Sequence, residues 1–158
     1  MNSNSELLLT KDGFEKFENE LMHLKNNKRK KIAEQIKEAL SYGDITDNAE
    51  YEDAKNGQAF VEGRIITLEK LLRRARLLEI DNNNGHLVAL GSTVKLRSLG
   101  ISKIGVYTIV STAESDPFEN KISDESPVGK AVLGSAVGDK VKVNAPAGIF
   151  YYKIEDIQ

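Results

Sequence analysis

The chain has 158 residues, 22 basic and 24 acidic side chains and a net charge of -2, which suits one globular domain or two small ones. The absence of cysteine excludes disulfide scaffolds and thiolate metal sites, and the two distant histidines, His23 and His86, argue against a zinc site or a Ser-His-Asp triad. Near-neutrality argues against a general DNA coat. Because no apolar run approaches about 18 residues and the N-terminus is polar, we expect a cytoplasmic protein without membrane association.

The first half of the sequence predicts two long helices, because no proline precedes Pro117 and apolar residues recur at helical spacing. Thr10 or Asp12 can cap the first helix. Its apolar positions are Phe14, Phe17, Leu21, Leu24, Ile32, Ile36, Ala39 and Leu40. Their phase shifts by one residue after Leu24, and residues 41–44 predict the end of the helix and a turn.

The second helix is predicted to begin near Asp47 or Asn48, either of which can cap it. Its apolar seam consists of Ala54, Val61, Ile65, Leu68, Leu72 and Ala75. Two helices of about 30 residues, each about 45 Å long and joined by a short turn, must pack antiparallel. The sequence offers no third long helix to complete a bundle, so we expect a projecting coiled-coil hairpin.

A change of pattern marks the boundary between two predicted domains, residues 1–80 and 81–158. Residues 81–85 are rich in turn formers and predict a linker. The predicted strands beyond it are 88–90, 93–97, 106–110, 140–144 and 149–154, and a short helix is predicted at 127–133. The expected fold class is therefore α+β, a helical hairpin followed by a small sheet domain with one helix.

Five acidic residues lie within ten positions at the predicted hairpin turn: Asp44, Asp47, Glu50, Glu52 and Asp53. Helix capping is one explanation for Asp47 and Glu50, since carboxylates complement the positive end of a helix. Asp44 lies on the other side of the turn and is not explained in this way. Alternatively, two exposed carboxylates can hold Mg²⁺ weakly, provided that a partner supplies the remaining ligands.

A basic cluster follows the first part of the seam: Lys25, Lys28, Arg29, Lys30 and Lys31. If Leu24 packs opposite Leu68, Arg64 falls close to Lys28 and extends the cluster, about 20 Å from the acidic turn. The cluster is either a solvated helix face or a phosphate-binding patch.

Two motifs resemble the bacterial Gre transcript-cleavage factors, GreA more than GreB. The first is Tyr42-Gly43-Asp44-Ile45-Thr46-Asp47-Asn48-Ala49-Glu50-Tyr51, which resembles the tip motif of the family. The second is Ser126-Pro127-Val128-Gly129-Lys130-Ala131-Val132-Leu133-Gly134. The resemblance covers essentially the whole chain and implies a coiled-coil hairpin with an FKBP-like C-terminal domain.

The resemblance also implies a function. The C-terminal domain would dock at the secondary channel of RNA polymerase, and the hairpin would bring its tip to the active site and the nascent RNA 3′ end. Asp44 and Asp47 would help to hold a catalytic Mg²⁺ shared with the polymerase, with Glu50 in support. Lys28, Arg29, Lys30, Lys31 and Arg64 would bind RNA, and Ser126, Pro127, Val128 and Gly129 would bind polymerase. The factor would be a monomer and not an enzyme alone, and it would bind no metal tightly by itself.

Asp47 departs from the family, which usually has glutamate there. Its side chain is one methylene shorter, and a displacement of about 1 Å can cost about 10²-fold in rate. An alternative is therefore an anti-cleavage homologue that occupies the channel and inhibits polymerase. A remote alternative is a peptidyl-prolyl isomerase or chaperone, although an active FKBP pocket is rich in aromatic residues and residues 85–158 contain few.

Overall fold

The computed structural model describes residues 6–43, 48–79 and 86–158. In chain order, the elements of the N-terminal half are β1 (Leu7–Leu9), α1 (Lys11–His23), a π-helical turn (Leu24–Lys28), α2 (Arg29–Ser41), α3 (Ala49–Arg74) and β2 (Ala75–Leu77). Those of the C-terminal half are β3 (Thr93–Ser98), β4 (Ile104–Val110), β5 (Lys121–Ser123), α4 (Pro127–Val132), β6 (Lys140–Ala145) and β7 (Gly148–Ile157). The α+β fold class is confirmed.

The first long helix runs from Lys11 to Ser41 and contains the π-helical turn Leu24–Lys28. The Arg29 N–H donates to the Leu24 carbonyl, five residues back instead of four. This turn absorbs one extra residue, which accounts for the one-residue phase shift in the sequence. The apolar seam therefore stays on one side of the helix across the change of phase.

The helical hairpin is built as predicted, with α3 antiparallel to α1 and α2. Its buried seam contains Phe17, Leu24, Ala39, Ala54, Val61, Ile65 and Leu68. The second helix, however, was predicted to reach Ala75, and that prediction is wrong. Ala75 is extended, with φ -68° and ψ 140°, and it begins β2, which pairs with β1. The Leu78 N–H donates to the Leu9 carbonyl at 2.7 Å, so pairing with β1 replaces the last helical turn.

The C-terminal half forms a sheet in the order β5-β4-β3-β7-β6, in which β4 and β5 are parallel and the other pairs antiparallel. Along the strands, buried apolar residues alternate with polar ones. The core of the sheet includes Val94, Leu96, Ile109, Val132, Val141 and Ile154. The prediction of a strand at 88–90 is wrong. Val88 is buried, but its main chain bonds Ser135 and Gly134 in the connection between α4 and β6.

Two compact units emerge from the packing, one containing Asp12–Ala75 and the other Leu7–Lys11 with Arg76–Gln158. The Thr10 main-chain N–H and hydroxyl donate to the two carboxylate oxygens of buried Glu114, at 2.9 and 2.5 Å. This N-terminal segment, which the sequence assigned to the hairpin, is thus anchored in the second unit. The predicted boundary between residues 80 and 81 lies outside the described residues. Among the described helices, none has both the length and the apolar composition needed to cross a membrane.

Candidate functional site

At the end of the hairpin, the structure describes the chain up to residue 43 and again from residue 48. Asp44 and Asp47, the predicted catalytic and metal-binding pair, lie outside the described residues. On one side, α2 ends at Ser41 and the Tyr42 N–H bonds the Ala39 carbonyl at 3.3 Å. Gly43 follows with φ +111°, a conformation that glycine adopts readily and other residues rarely.

Asn48 joins the two helix ends. Its side-chain oxygen accepts the Tyr51 N–H at 3.1 Å and so caps α3, as one of the two sequence candidates predicted. Its side-chain amide also donates to the Ala39 carbonyl at 2.5 Å, across the hairpin. One asparagine therefore satisfies groups at the end of α2 and at the start of α3. The sequence indicated the cap but gave no signal for the second bond.

An acidic groove of about 510 Å³ lies beside these helix ends. It is lined by Gln35, Glu38, Ala39, Tyr42, Glu50, Asp53 and Ala54. The Tyr42 hydroxyl donates to Glu38 at 3.1 Å, and this hydrogen bond, with the charges of Glu38 and Glu50, raises the pKa of Tyr42. Within the described ranges, no three acidic or histidine side chains are grouped so as to hold a metal ion. Glu50 is exposed in the first turn of α3, where its charge complements the helix dipole.

Three ion pairs cross the hairpin next to the basic cluster. Arg29 binds Glu62 through two hydrogen bonds of 2.7 and 2.8 Å, and Arg64 binds Glu20 through two of 2.6 and 2.9 Å. Lys25 lies 2.6 Å from Glu69. The hydrogen bond with Glu62 raises the pKa of Arg29, and that with Arg29 lowers the pKa of Glu62.

These pairs divide the five predicted RNA-binding residues. Arg29 and Arg64 are held by carboxylates of the opposite helix, whereas Lys28, Lys30 and Lys31 are exposed and form no ion pair with any described residue. The acidic partners were not singled out from the sequence. The seam pairing of Leu24 with Leu68 contained the signal for one of them, since it brings the adjacent Lys25 and Glu69 together.

Most of the second-motif residues that were predicted to bind polymerase already make contacts with neighbouring parts of the chain. The Ser126 hydroxyl accepts the Gly129 N–H at 3.0 Å, capping α4, and donates to the Ser123 carbonyl at 2.6 Å. A Cβ on buried Gly129 would lie 2.0 Å from the same carbonyl oxygen. Val128 packs against the core, and Pro127 is exposed at the first helical position. Each of these residues thus has a structural role, and their predicted polymerase contacts stay a prediction.

Comparison with known proteins covers nearly the whole chain. A family described as "Transcription elongation factor, N-terminal" matches residues 7–77, and "Transcription elongation factor, GreA/GreB, C-term" matches residues 83–158. A protein named transcription elongation factor GreA from Syntrophomonas wolfei is 52% identical over 158 residues, covering 100% of this chain and 99% of that protein. A GreA from Thermoanaerobacter pseudethanolicus is 49% identical, covering 96% of this chain and 97% of that one.

The chain is also similar in sequence to a protein of known structure. The crystal structure of GreA factor homolog 1 (Gfh1) of Thermus thermophilus is 33% identical in sequence, with a TM-score of 0.45. The match covers 97% of this chain and 99% of that one.

Proposed function

Because the chain belongs to the GreA/GreB family of transcription elongation factors, we propose that it places its hairpin in the secondary channel of RNA polymerase and stimulates cleavage of backtracked RNA. The chain is not itself an enzyme, since the activity that it stimulates belongs to the polymerase. It acts as a monomer in the cytoplasm, at the 3′ end of the nascent RNA.

The observation that supports this proposal best is the double role of Asn48. Its side chain caps α3 and bonds Ala39 of α2, so the two helix ends are held together on either side of residues 44–47. Fixed placement matters because a displacement of about 1 Å can cost about 10²-fold in rate.

Asp44 and Asp47 are the residues that we expect to hold Mg²⁺ together with carboxylates of the polymerase. Their oxygen atoms are the hard ligands that this ion prefers, and two carboxylates are too few for a tight site. When bound, the ion supplies charge stabilisation for an in-line displacement at phosphorus. The chain itself orients the water and delivers negative charge, and Glu50 supports the pair from the first turn of α3.

The basic cluster serves the same reaction by holding RNA. Lys28, Lys30 and Lys31 are exposed and offer ammonium groups to the phosphates of the displaced strand. Arg29 and Arg64 reach the RNA only if they exchange their carboxylate partners for phosphate. Ser126, Pro127, Val128 and Gly129 mark the segment that docks on the polymerase.

A cleavage assay on stalled elongation complexes tests the proposal. The double variant Asp44→Ala, Asp47→Ala should lose roughly 10²-fold or more of the stimulated rate while it still binds polymerase. The matched control is Glu18→Ala, Glu34→Ala, which removes two exposed carboxylates from the first long helix and should cleave like the wild type. Unchanged cleavage by the Asp44, Asp47 variant would show that the tip carboxylates are not the site.

The same assay separates this function from inhibition. Release of short 3′ RNA fragments by the wild type supports a cleavage factor, and blocked nucleotide addition without cleavage supports the anti-cleavage alternative. The curated relatives, at 52% and 49% identity, are named GreA and favour cleavage. Asp47→Glu restores the usual side-chain length of the family, and we expect it to cleave at least as fast as the wild type.

A further inference from the structure

Phe118 stands out because its side chain is 98% exposed, although the ring is among the largest apolar groups in the chain. It lies in the turn Pro117–Glu119, between β4 and β5. Isolated exposed apolar residues are common on protein surfaces and need no explanation by themselves. Phe118 differs from such residues in how the surrounding chain holds its backbone.

The turn that carries Phe118 is rigidly built. The Asp116 carboxylate accepts the Phe118 N–H at 2.9 Å. The main chains of Asp116 and Lys121 exchange two hydrogen bonds, each of 2.9 Å, which close the turn at its base. Asn120 has φ +53°, the left-handed conformation that ends the turn. Because the backbone of the turn is already fixed, covering the ring costs only the rotamer freedom of the Phe118 side chain.

The surroundings of Phe118 are acidic. Between residues 114 and 125 the chain has one basic residue, Lys121, whose ammonium group lies 2.5 Å from the Glu119 carboxylate. The acidic residues in this stretch are Glu114, Asp116, Glu119, Asp124 and Glu125. Glu114 is buried against Thr10 and Glu119 is paired with Lys121, so Asp116, Asp124 and Glu125 give this stretch its net negative charge. A complementary partner therefore has an apolar pocket with lysine or arginine at its rim.

The turn also adjoins the second motif. The edge strand β5 (Lys121–Ser123) begins directly after the turn, and Ser123 accepts the hydrogen bond of Ser126. The Phe118 turn and the start of α4 thus lie at the two ends of one edge strand. Most residues of the second motif make contacts within the fold, whereas the ring of Phe118 is almost fully exposed.

We propose that Phe118 is the anchor by which the second unit docks on RNA polymerase, with its ring in an apolar pocket that has a basic rim. This inference rests on the proposed function, because it takes polymerase as the partner. Aromatic side chains that fill a pocket at the centre of an interface commonly dominate its affinity. Phe118 belongs to no motif from which the sequence predicted polymerase contacts.

The test measures the affinity of the full-length chain for core RNA polymerase, by fluorescence anisotropy of the labelled factor. Phe118→Ala should weaken binding by about 30-fold, the usual effect of truncating an aromatic anchor. Phe118→Leu should recover part of the loss. The matched control is Ile101→Ala, which truncates a residue 75% exposed in the connection between β3 and β4 and should bind like the wild type.

Two further measurements show how Phe118 acts. At saturating factor concentrations, Phe118→Ala should cleave RNA at the wild-type rate, since the variant leaves the tip unchanged. Glu119→Lys should also weaken binding, because it places a positive charge against the basic rim. Circular dichroism before each assay establishes that every variant is folded.

The outcomes distinguish this inference from the function on which it rests. If the wild type binds polymerase and Phe118→Ala binds equally well, the inference is wrong and the proposed function stands. If the wild type does not bind, both are wrong. Sedimentation tests whether a second copy of the chain covers the ring instead. If the wild type is a dimer and Phe118→Ala is a monomer, the second copy covers the ring and the inference is wrong.

Discussion

The two motifs that resemble the Gre factors contribute to the molecule in different ways. In the tip motif, Gly43 follows the end of α2 with a positive φ, and Asn48 bonds both the end of α2 and the start of α3. In the second motif, Ser126 and Gly129 join α4 to β5, and their polar groups are already bonded. A family motif thus locates a segment, but only its contacts show which residues remain available to a partner.

The largest expected effect would test the structural role of the second motif. Gly129→Ala places a Cβ 2.0 Å from the Ser123 carbonyl oxygen, so α4 must move away from β5. We expect the free energy of unfolding to fall by about 3 kcal/mol, measured by urea denaturation of the full-length chain. Gly100→Ala is the control, since a Cβ there meets nothing within 4 Å. Wild-type stability in Gly129→Ala would show that α4 tolerates the displacement and that the close contact of Gly129 with Ser123 is not needed for stability.

The next effect concerns the tip motif. Asn48→Ala removes the cap of α3 and the bond to Ala39, and we expect a loss of about 1 to 2 kcal/mol in the stability of the hairpin. Cleavage should fall further than polymerase affinity, because the variant no longer joins the helix ends on either side of residues 44–47 while the docking surface is unchanged.

A second substitution separates the two bonds of Asn48. Asn48→Asp keeps the oxygen that caps α3 but cannot donate to the Ala39 carbonyl. It should retain helix stability and lose cleavage, and Asn56→Ala, at an exposed position of α3, should change neither. Full cleavage by Asn48→Asp would mean that the bond across the hairpin does not position the tip.

The sequence predicted the hairpin well because helical periodicity over many residues is a strong signal. A phase shift after Leu24 marked the position of the π-helical turn. Periodicity alone, however, does not show how the backbone absorbs the extra residue. It missed β1 and β5, which have three residues each and no alternation long enough to detect. It extended the second helix through Ala75, because an alanine in phase with the seam fits either structure.

The sequence located the charged residues of the candidate site but did not show which of them pair with one another. Charge counts located the basic cluster, yet the engagement of Arg29 with Glu62 depends on a contact between residues 33 positions apart. The same limit applies to Glu114, whose partner Thr10 lies 104 positions away. The sequence did not single out Phe118, since its exposure follows from a turn that the sequence did not define.

A smaller effect is expected from the exposed lysines of the hairpin. The triple variant Lys28→Gln, Lys30→Gln, Lys31→Gln should reduce crosslinking of the factor to the RNA 3′ end and lower the salt dependence of cleavage. Its matched control is Lys95→Gln, Lys140→Gln, Lys142→Gln, which removes three exposed charges from the sheet. Equal crosslinking by both variants would assign the hairpin lysines to a solvated surface, as the alternative interpretation of the sequence had it.

The smallest effect is a pH dependence confined to the hairpin. The hydrogen bond with Arg29 lowers the pKa of Glu62, and the one with Lys25 lowers that of Glu69, so both carboxylates stay charged in the folded chain at pH values where they begin to protonate in the unfolded one. Their stabilisation is therefore complete above the ordinary glutamate pKa, 4.5, and is lost as the pH falls through the lower folded-state values.

The thermal midpoint of the helical signal in circular dichroism should accordingly be steady near neutral pH and decline below about pH 4.5. In the double variant Glu62→Gln, Glu69→Gln this decline should be shallower. The control is Glu155→Gln, which removes a carboxylate of the sheet whose pKa is lowered in the same way by Arg97. It should leave the pH dependence of the hairpin unchanged, because Glu155 contributes to the stability of the other unit. An equally steep decline in the double variant would show that the hairpin owes its acid sensitivity to other carboxylates.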